Sequence, residues 1–256
     1  MTRLETELQR RSQAHRAANR STRENWRSFT RHRNRVMELL GDESRRQGKV
    51  AILGAGNCND LDLVQLASEC GEIHLFDLDR EAMEGALLRQ GVPERPNIHL
   101  RDDLDLSGLS DSEHATGPDP AADFDLVVST CVVSQLLETV SRVLPPGLHR
   151  DRIMLQVRDA HVRLMTGLTA PGGTGIVVTD VAEADSNPGS SAPPEPASAR
   201  ETVRKGRHFL GLDTKGIRQA LGAVRNLKES EPWTWQLDPV RRYLVQAVRF
   251  TKSAGG

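Results

Sequence analysis

What is scarce in this chain narrows its class before any motif is read. Cysteine occurs three times in 256 residues, at Cys58, Cys70 and Cys131, with no CxxC pair and no cysteine–histidine cluster. A disulfide framework and a structural zinc are therefore not expected, and free thiols fit a reducing compartment. Long hydrophobic runs are missing too. The most apolar stretch, 126–133, is too short to span a bilayer and contains Ser and Thr. The opening residues, MTRLETELQRR, carry charge where a signal peptide needs an apolar run. The expectation is a soluble cytoplasmic protein with no membrane partner. Nor is there an excess of one charge: the net charge of −1 removes any bulk attraction to polyanions. Hydrophobic residues make up only 37 %, so part of the chain is expected outside the core.

What is present falls into two parts. Residues 1–45 read as a basic helical extension, with ten Arg against four Glu up to residue 40. Trp26, Phe29, Val36, Met37 and Leu40 recur near helical spacing and give one apolar stripe, with Gly41 expected as C-cap. Residues 46–252 then repeat a strand–helix rhythm. Strands are expected at 50–53, 72–76, 97–100, 123–128 and 175–179, and helices at 60–68, 80–89, 132–143 and 150–168. That alternation implies a parallel α/β sheet with right-handed crossovers. Near the end, 232–236 and 241–250 read as two strands joined by a link too short for anything but an antiparallel hairpin. Residues 183–199, rich in Pro, Ser and Ala, have too little apolar content to fold alone and read as a flexible insertion.

The chemistry concentrates at Gly54-Ala55-Gly56, between an apolar strand and a helix. A glycine turn there lets a ligand approach the backbone and the N–H groups of the following helix. Asp77 lies 23 residues beyond Gly54, at the end of the second strand, where a carboxylate can accept from both hydroxyls of a ribose. A dinucleotide site wants a third glycine around its pyrophosphate. Asn59 stands there instead, followed by Asp60 and Asp62. Acids repel a pyrophosphate and attract a cation, so the pattern favours S-adenosylmethionine, whose sulfonium and ammonium are positive.

These stretches resemble the class I S-adenosylmethionine-dependent methyltransferases: VAILGAGNC (50–58), HLFDLD (74–79), NIHLRDDLDL (97–106), FDLVVSTCVVSQL (124–136), PGGTGIVVTD (171–180) and the closing WTWQLDPVRRYLVQAVRF (233–250). The resemblance implies a Rossmann-like α/β/α fold with a seven-stranded, mostly parallel sheet and a C-terminal antiparallel hairpin. It implies a cofactor bordered by Gly54, Ala55, Gly56, Asn57, Cys58 and Asn59, with Asp77 at the ribose and Leu78 against the adenine. Asp102 or Asp103, the latter preferred with Leu104, would meet the adenine amino group. Ser129, Thr130 and Cys131 would line the methionine moiety and the entrance to the active site. One departure stands out. The family often carries an acid two residues before the first glycine, and Ile52 occupies that place, leaving the ammonium to Asp60, Asp62 or a carbonyl.

Methyl transfer to an unprotonated nucleophile needs alignment more than a catalytic side chain. No obvious catalytic residue is present; Arg158, His161 and Asp180 are the weak candidates near the mouth. Arg158 and His161 also suit the polar face of a helix, Cys131 suits a small buried apolar role, and Trp233 and Trp235 suit edge packing. The favoured substrate is a small molecule. The alternatives are an RNA substrate held by the basic extension, an NAD-dependent oxidoreductase, and a binding module without catalysis. The extension itself is read as a lid or as packing rather than as an RNA surface, for it lacks interleaved aromatics.

Overall fold

The structure, a computed structural model, describes residues 13, 16–44, 48–102, 104, 106–107, 123–184, 209–238 and 240–253. Among the described residues six helices follow a helical stretch at 16–22: α1 (Thr30–Ser44), α2 (Leu63–Glu69), α3 (Arg80–Arg89), α4 (Val132–Val143), α5 (Leu148–Leu168) and α6 (Thr214–Leu221). The strands are β1 (Lys49–Leu53), β2 (Glu72–Phe76), β3 (Ile98–Arg101), β4 (Phe124–Thr130), β5 (Thr169–Glu183), β6 (Val224–Glu229), β7 (Trp233–Gln236) and β8 (Arg242–Lys252). They form one sheet in the order β3-β2-β1-β4-β5-β8-β6. Neighbours from β3 to β5 are parallel, and β8 is antiparallel to β5.

Both faces of the sheet are covered, which explains the unbroken apolar runs of β1 and β4. Ile52, Leu126, Val128 and Ile176 face a cluster with Val36 and Leu40 of α1, Leu66 of α2 and Met83 of α3. Ala51, Leu53, Val127 and Val177 face Leu137 of α4, Val157 and Met165 of α5 and Ile217 of α6. The result is the expected three-layer α/β/α sandwich.

Eight strands stand where seven were expected, and the reason is a split edge. β6 pairs with 248–252 of β8, and β7 with 242–245 of the same strand. Between them Ser230 keeps contact, its N–H donating to Ala247 O and its hydroxyl accepting from Ala247 N–H, both at 2.9 Å. Pro232 cannot donate to a ladder and marks the break. The hairpin of β7 and β8 is antiparallel as its short link required.

Other boundaries moved for local reasons. α1 runs through Gly41, where a Cβ would meet nothing, and ends at Ser44 rather than at a glycine cap. α2 starts at Leu63, not residue 60, because the Asp62 carboxylate accepts from Gln65 N–H at 2.9 Å and makes Asp62 the N-cap. Residues 54–61 are spent on turns. β5 starts at Thr169 rather than residue 175 and takes in Pro171-Gly172-Gly173 through a register shift against Phe124 and Leu126. The sequence reading missed α6 and β6. Of the expected flexible insertion, 185–199 lies outside the described residues. No described helix is long and apolar enough to cross a membrane.

Candidate functional site

The strand order reverses between β1 and β4, and their carboxyl ends open a crevice at that point. Ligand sites in open α/β sheets sit at such a reversal. The glycine turn follows β1 and Cys131 follows β4, so both enter the crevice. Gly54 has φ +73°, and a Cβ there would lie 2.0 Å from Val132 Cγ2. Only glycine fits. The N–H groups of Gly54 and Ala55 donate to Phe76 O at 2.8 and 3.0 Å. The Asp77 carboxylate then binds the turn from β2: Oδ2 accepts from Gly56 N–H at 2.8 Å and Oδ1 from Asp79 N–H at 2.9 Å. Asp79 caps α3.

The N-terminal segment lies across this turn. Asn19 donates from Nδ2 to Asp79 Oδ2 at 3.1 Å, and its Oδ1 is 2.8 Å from where a Gly56 Cβ would stand. The Asn57 amide donates to Asn19 O and the Asn59 amide to Thr22 O, at 2.6 and 2.7 Å. Arg33, buried, donates to Trp26 O and Asn59 O, both at 3.0 Å, with its guanidinium 3.5 Å from the Trp26 ring centroid. Arg89 bonds Asn57 O and Asn59 Oδ1. Asn57 and Asn59 thus serve as ties between the turn and the segment over it.

Beyond Asn19 a cavity of about 410 Å³ opens over the carboxyl ends of β4 and β5. Residues 18–22 roof it, α4 forms one wall, and Phe209, Trp235 and Tyr243 form another. Cys131 and Asp180 lie in its lining, with Glu138 and Glu183. Burial pushes the Asp180 carboxyl up to about 7 against the pull of the Ser134 hydroxyl. Burial likewise pushes Asp60 up to about 7, against Thr130 and Arg33. Neither Asp60 Oδ1 nor Asp180 Oδ1 has a hydrogen-bond partner among the described residues. His32 stands 3.4 Å from Asp60 Oδ1 but does not neutralise it. Burial first, then Arg33, lowers His32 to about 3. Its Nδ1 accepts from the Trp233 indole N–H at 3.1 Å, so the ring is neutral with its proton on Nε2.

Not all the expected residues meet in this crevice. Gly54, Ala55, Gly56, Asn57, Cys58, Asn59 and Asp77 cluster at the turn, and Thr130 and Cys131 at the neighbouring strand end. Ser129 turns to the opposite face, where its hydroxyl meets His161 Nε2 at 2.8 Å. His161 also bonds Leu106 O through Nδ1 at 3.0 Å, and burial lowers it to about 4, so it is a neutral tie in the core. Arg158 is buried against Gly211 O and Asp159. Neither Arg158 nor His161 lines the cavity, and neither lies on an exposed polar face; of the weak catalytic candidates only Asp180 reaches it. Leu78 is partly exposed, Leu104 is buried, and Asp102 is exposed and 3.6 Å from Arg80. Asp103 lies outside the described residues. Burial raises the Cys131 thiol well above its ordinary value, as a small apolar role requires. The sequence reading missed Asn19, His32, Glu138, Glu183, Phe209 and Tyr243. Tyr243 alone had a signal, as the cross-strand partner of Trp235 once the hairpin register is drawn.

No family model matches the chain, and no curated protein sequence matches it. Solved structures do. The N-methyltransferase NodS from Bradyrhizobium japonicum WM9, in complex with S-adenosyl-L-homocysteine, is 18 % identical, with 93 % of this chain and 98 % of that one covered at a TM-score of 0.53. Phosphoethanolamine N-methyltransferase 2 from Haemonchus contortus, with phosphomonomethylethanolamine and S-adenosylhomocysteine, is 13 % identical, covering 86 % and 52 % at 0.52. The YcgJ protein of Bacillus subtilis is 12 % identical, covering 87 % and 100 % at 0.51. The fold is that of the class I methyltransferases. Within this class I fold Ile52 is buried in the core and brings no polar group to the turn. Asp62 is committed to its helix cap. Among the described residues, the buried carboxylate oxygens that remain near the crevice without a partner belong to Asp60 and Asp180.

Proposed function

We propose that the chain is an S-adenosylmethionine-dependent methyltransferase acting on a small molecule. One observation carries the reading. A left-handed glycine turn and two partnerless carboxylate oxygens gather where the strand order reverses, and the cations near them are already committed. Among the described residues a pyrophosphate finds no uncommitted cation there, whereas a sulfonium or an ammonium finds two carboxylates. The S-adenosylhomocysteine bound in the Bradyrhizobium and Haemonchus structures supports the same cofactor.

The residues present fit it. Asp77, at the end of β2, suits the ribose hydroxyls, since a carboxylate has about four acceptor positions. Asp60, in place of the acid missing at Ile52, suits the ammonium, and its orphaned Oδ1 is the reason. Leu78 and Leu104, with Asp102 or Asp103, suit the adenine, and Thr130 and Cys131 the methionine chain. When bound, the cofactor supplies a methyl group already activated by its sulfonium. The chain's own work is then alignment and exclusion of water. Residues 16–29 act as the lid that does so, and Arg33, Asn57 and Asn59 latch it.

Calorimetry with S-adenosylhomocysteine on the wild type and on Asp77→Ala tests the reading. Hydrogen bonds to a charged group contribute about 1.5–3 kcal/mol each, so two lost at the ribose weaken binding roughly a hundredfold or more. Equal affinity in a variant that melts cooperatively would remove Asp77 from the site. A wild type bound by NAD and not by S-adenosylhomocysteine would remove the function.

A further inference from the structure

We propose that the acceptor is a cationic amine on an apolar or aromatic body, with Asp180 meeting its nitrogen and Trp235 its flank. The proposal rests on the methyltransferase reading and adds the substrate class. Four observations support it.

The first is charge. Asp180, Glu138 and Glu183 line the cavity against a single cation, Arg241. Arg241 is held by Asp238, Nε to Oδ2 at 2.6 Å, and Glu138 by Arg142 at 2.6 Å. Asp180 and Glu183 have no ion pair among the described residues. Among the described residues an anionic acceptor therefore meets net negative charge and no uncommitted cation.

The second is the aromatic wall. Trp235 and Tyr243 lie 6.0 Å apart between centroids, and Tyr243 and Phe209 6.2 Å apart. Cations bind the faces of such rings, Trp best. The third is what backs Trp235. Neutral His32 stacks on it at 4.7 Å and 24°, and Phe29 meets it edge-on at 5.2 Å. A neutral ring stacked on the indole brings no positive charge to oppose a cation there. The fourth is Asp180 itself, almost wholly buried, with a partnerless Oδ1, at the end of the sheet nearest Cys131 and the glycine turn.

The chemistry balances. An ammonium gives its proton to the Asp180 carboxylate, whose native value near 7 lets it hold that proton at neutral pH. The freed nitrogen pair forms the bond to the methyl carbon as the carbon–sulfur bond breaks and its pair stays on sulfur. The positive charge passes to the methylated nitrogen, a thioether leaves, and Asp180 returns its proton to solvent.

The test is calorimetry on the full chain, with and without S-adenosylhomocysteine. The probes are benzyltrimethylammonium, benzoate and benzyl alcohol, which share a phenyl ring and differ in the charge and bulk of the head group. Benzyltrimethylammonium should bind at least about tenfold more tightly than benzoate. Asp180→Asn and Trp235→Leu should each cut the cation's affinity about tenfold and leave that of benzyl alcohol within about threefold. Where a variant fails to melt cooperatively, the wild-type order of the three probes decides. Benzoate or benzyl alcohol binding as tightly as the cation overturns the proposal. If S-adenosylhomocysteine still binds in that case, the methyltransferase reading survives alone. If it does not bind, both fall.

Discussion

The two halves of the crevice are built on opposite principles. At the glycine turn the polar groups are satisfied by the protein itself: Gly56 N–H by Asp77, the Asn57 and Asn59 amides by the N-terminal segment, their oxygens by Arg89 and Arg33. In the cavity beside it, Asp180 Oδ1 and the Trp235 indole nitrogen are buried without partners among the described residues, as is Asp60 Oδ1 behind it. A buried polar atom without a partner costs roughly 1–3 kcal/mol, so folding alone does not explain it. The turn is shaped to hold a backbone geometry. On the proposed reading the cavity receives charge from outside.

The sharpest way to break the turn is to add one carbon. Gly54→Ala puts a Cβ into the left-handed region, at about 1–2 kcal/mol, and into Val132 Cγ2, with overpacking of about 1–3 kcal/mol more. The variant should lose about 2–5 kcal/mol in urea denaturation and bind S-adenosylhomocysteine poorly or not at all. The same substitution at Gly41, where a Cβ meets nothing, should be neutral or stabilising. A Gly54→Ala protein as stable as the wild type would show that the turn relaxes and is no rigid platform.

The cavity should respond to pH instead. Asp60 and Asp180 stand near 7 in the fold against about 3.9 in an unfolded chain. Between those values the native state binds more protons than the unfolded one, so their contribution falls as pH rises from about 4 to about 7 and is level above that. Asp180→Asn removes one of the two. It should therefore exceed the wild type in stability at about pH 8, by roughly 1–3 kcal/mol, with the gap closing toward about pH 4. A cation in the cavity reverses the sign by favouring the charged acids. S-adenosylmethionine should gain on S-adenosylhomocysteine as pH rises through about 7, measured as the ratio of their dissociation constants. A ratio flat with pH would separate the acids from the cofactor.

The same contrast decides what the sequence could tell. The glycine turn was legible because Gly54, Gly56 and Asp77 are fixed by backbone geometry, which follows chain order. β1, β2, α3 and α4 were legible because their periodicity is local. The split edge was not, since β6 buries no residue fully and does not alternate, and its pairing with 248–252 is non-local. The cavity wall was least legible. Trp235 and Tyr243 meet through the hairpin register, but Phe209 comes from a separate segment and nothing in its spacing shows that it joins them. Arg158 and His161 failed for a related reason: a polar residue on a helix reads as exposed until a carbonyl such as Gly211 O or Leu106 O is found beside it.

The smallest expected effect tests whether the N-terminal segment covers the turn as a lid or only as packing. Asn19 is the point of decision, because it touches both halves: it lines the cavity, bonds Asp79 and sits against Gly56. Asn19→Ala removes one part-buried hydrogen bond, at about 0.5–1.5 kcal/mol, and leaves the Asn57 bond to the Asn19 carbonyl in place. If the segment opens to admit the cofactor, loosening its contact with Asp79 raises the opening probability by the same free energy. Association of S-adenosylhomocysteine, followed by tryptophan fluorescence in stopped flow, should then quicken by about twofold to tenfold. Dissociation should quicken with it, so the affinity changes less than either rate. If residues 16–29 are packing alone, stability drops by the same small amount and the association rate does not move.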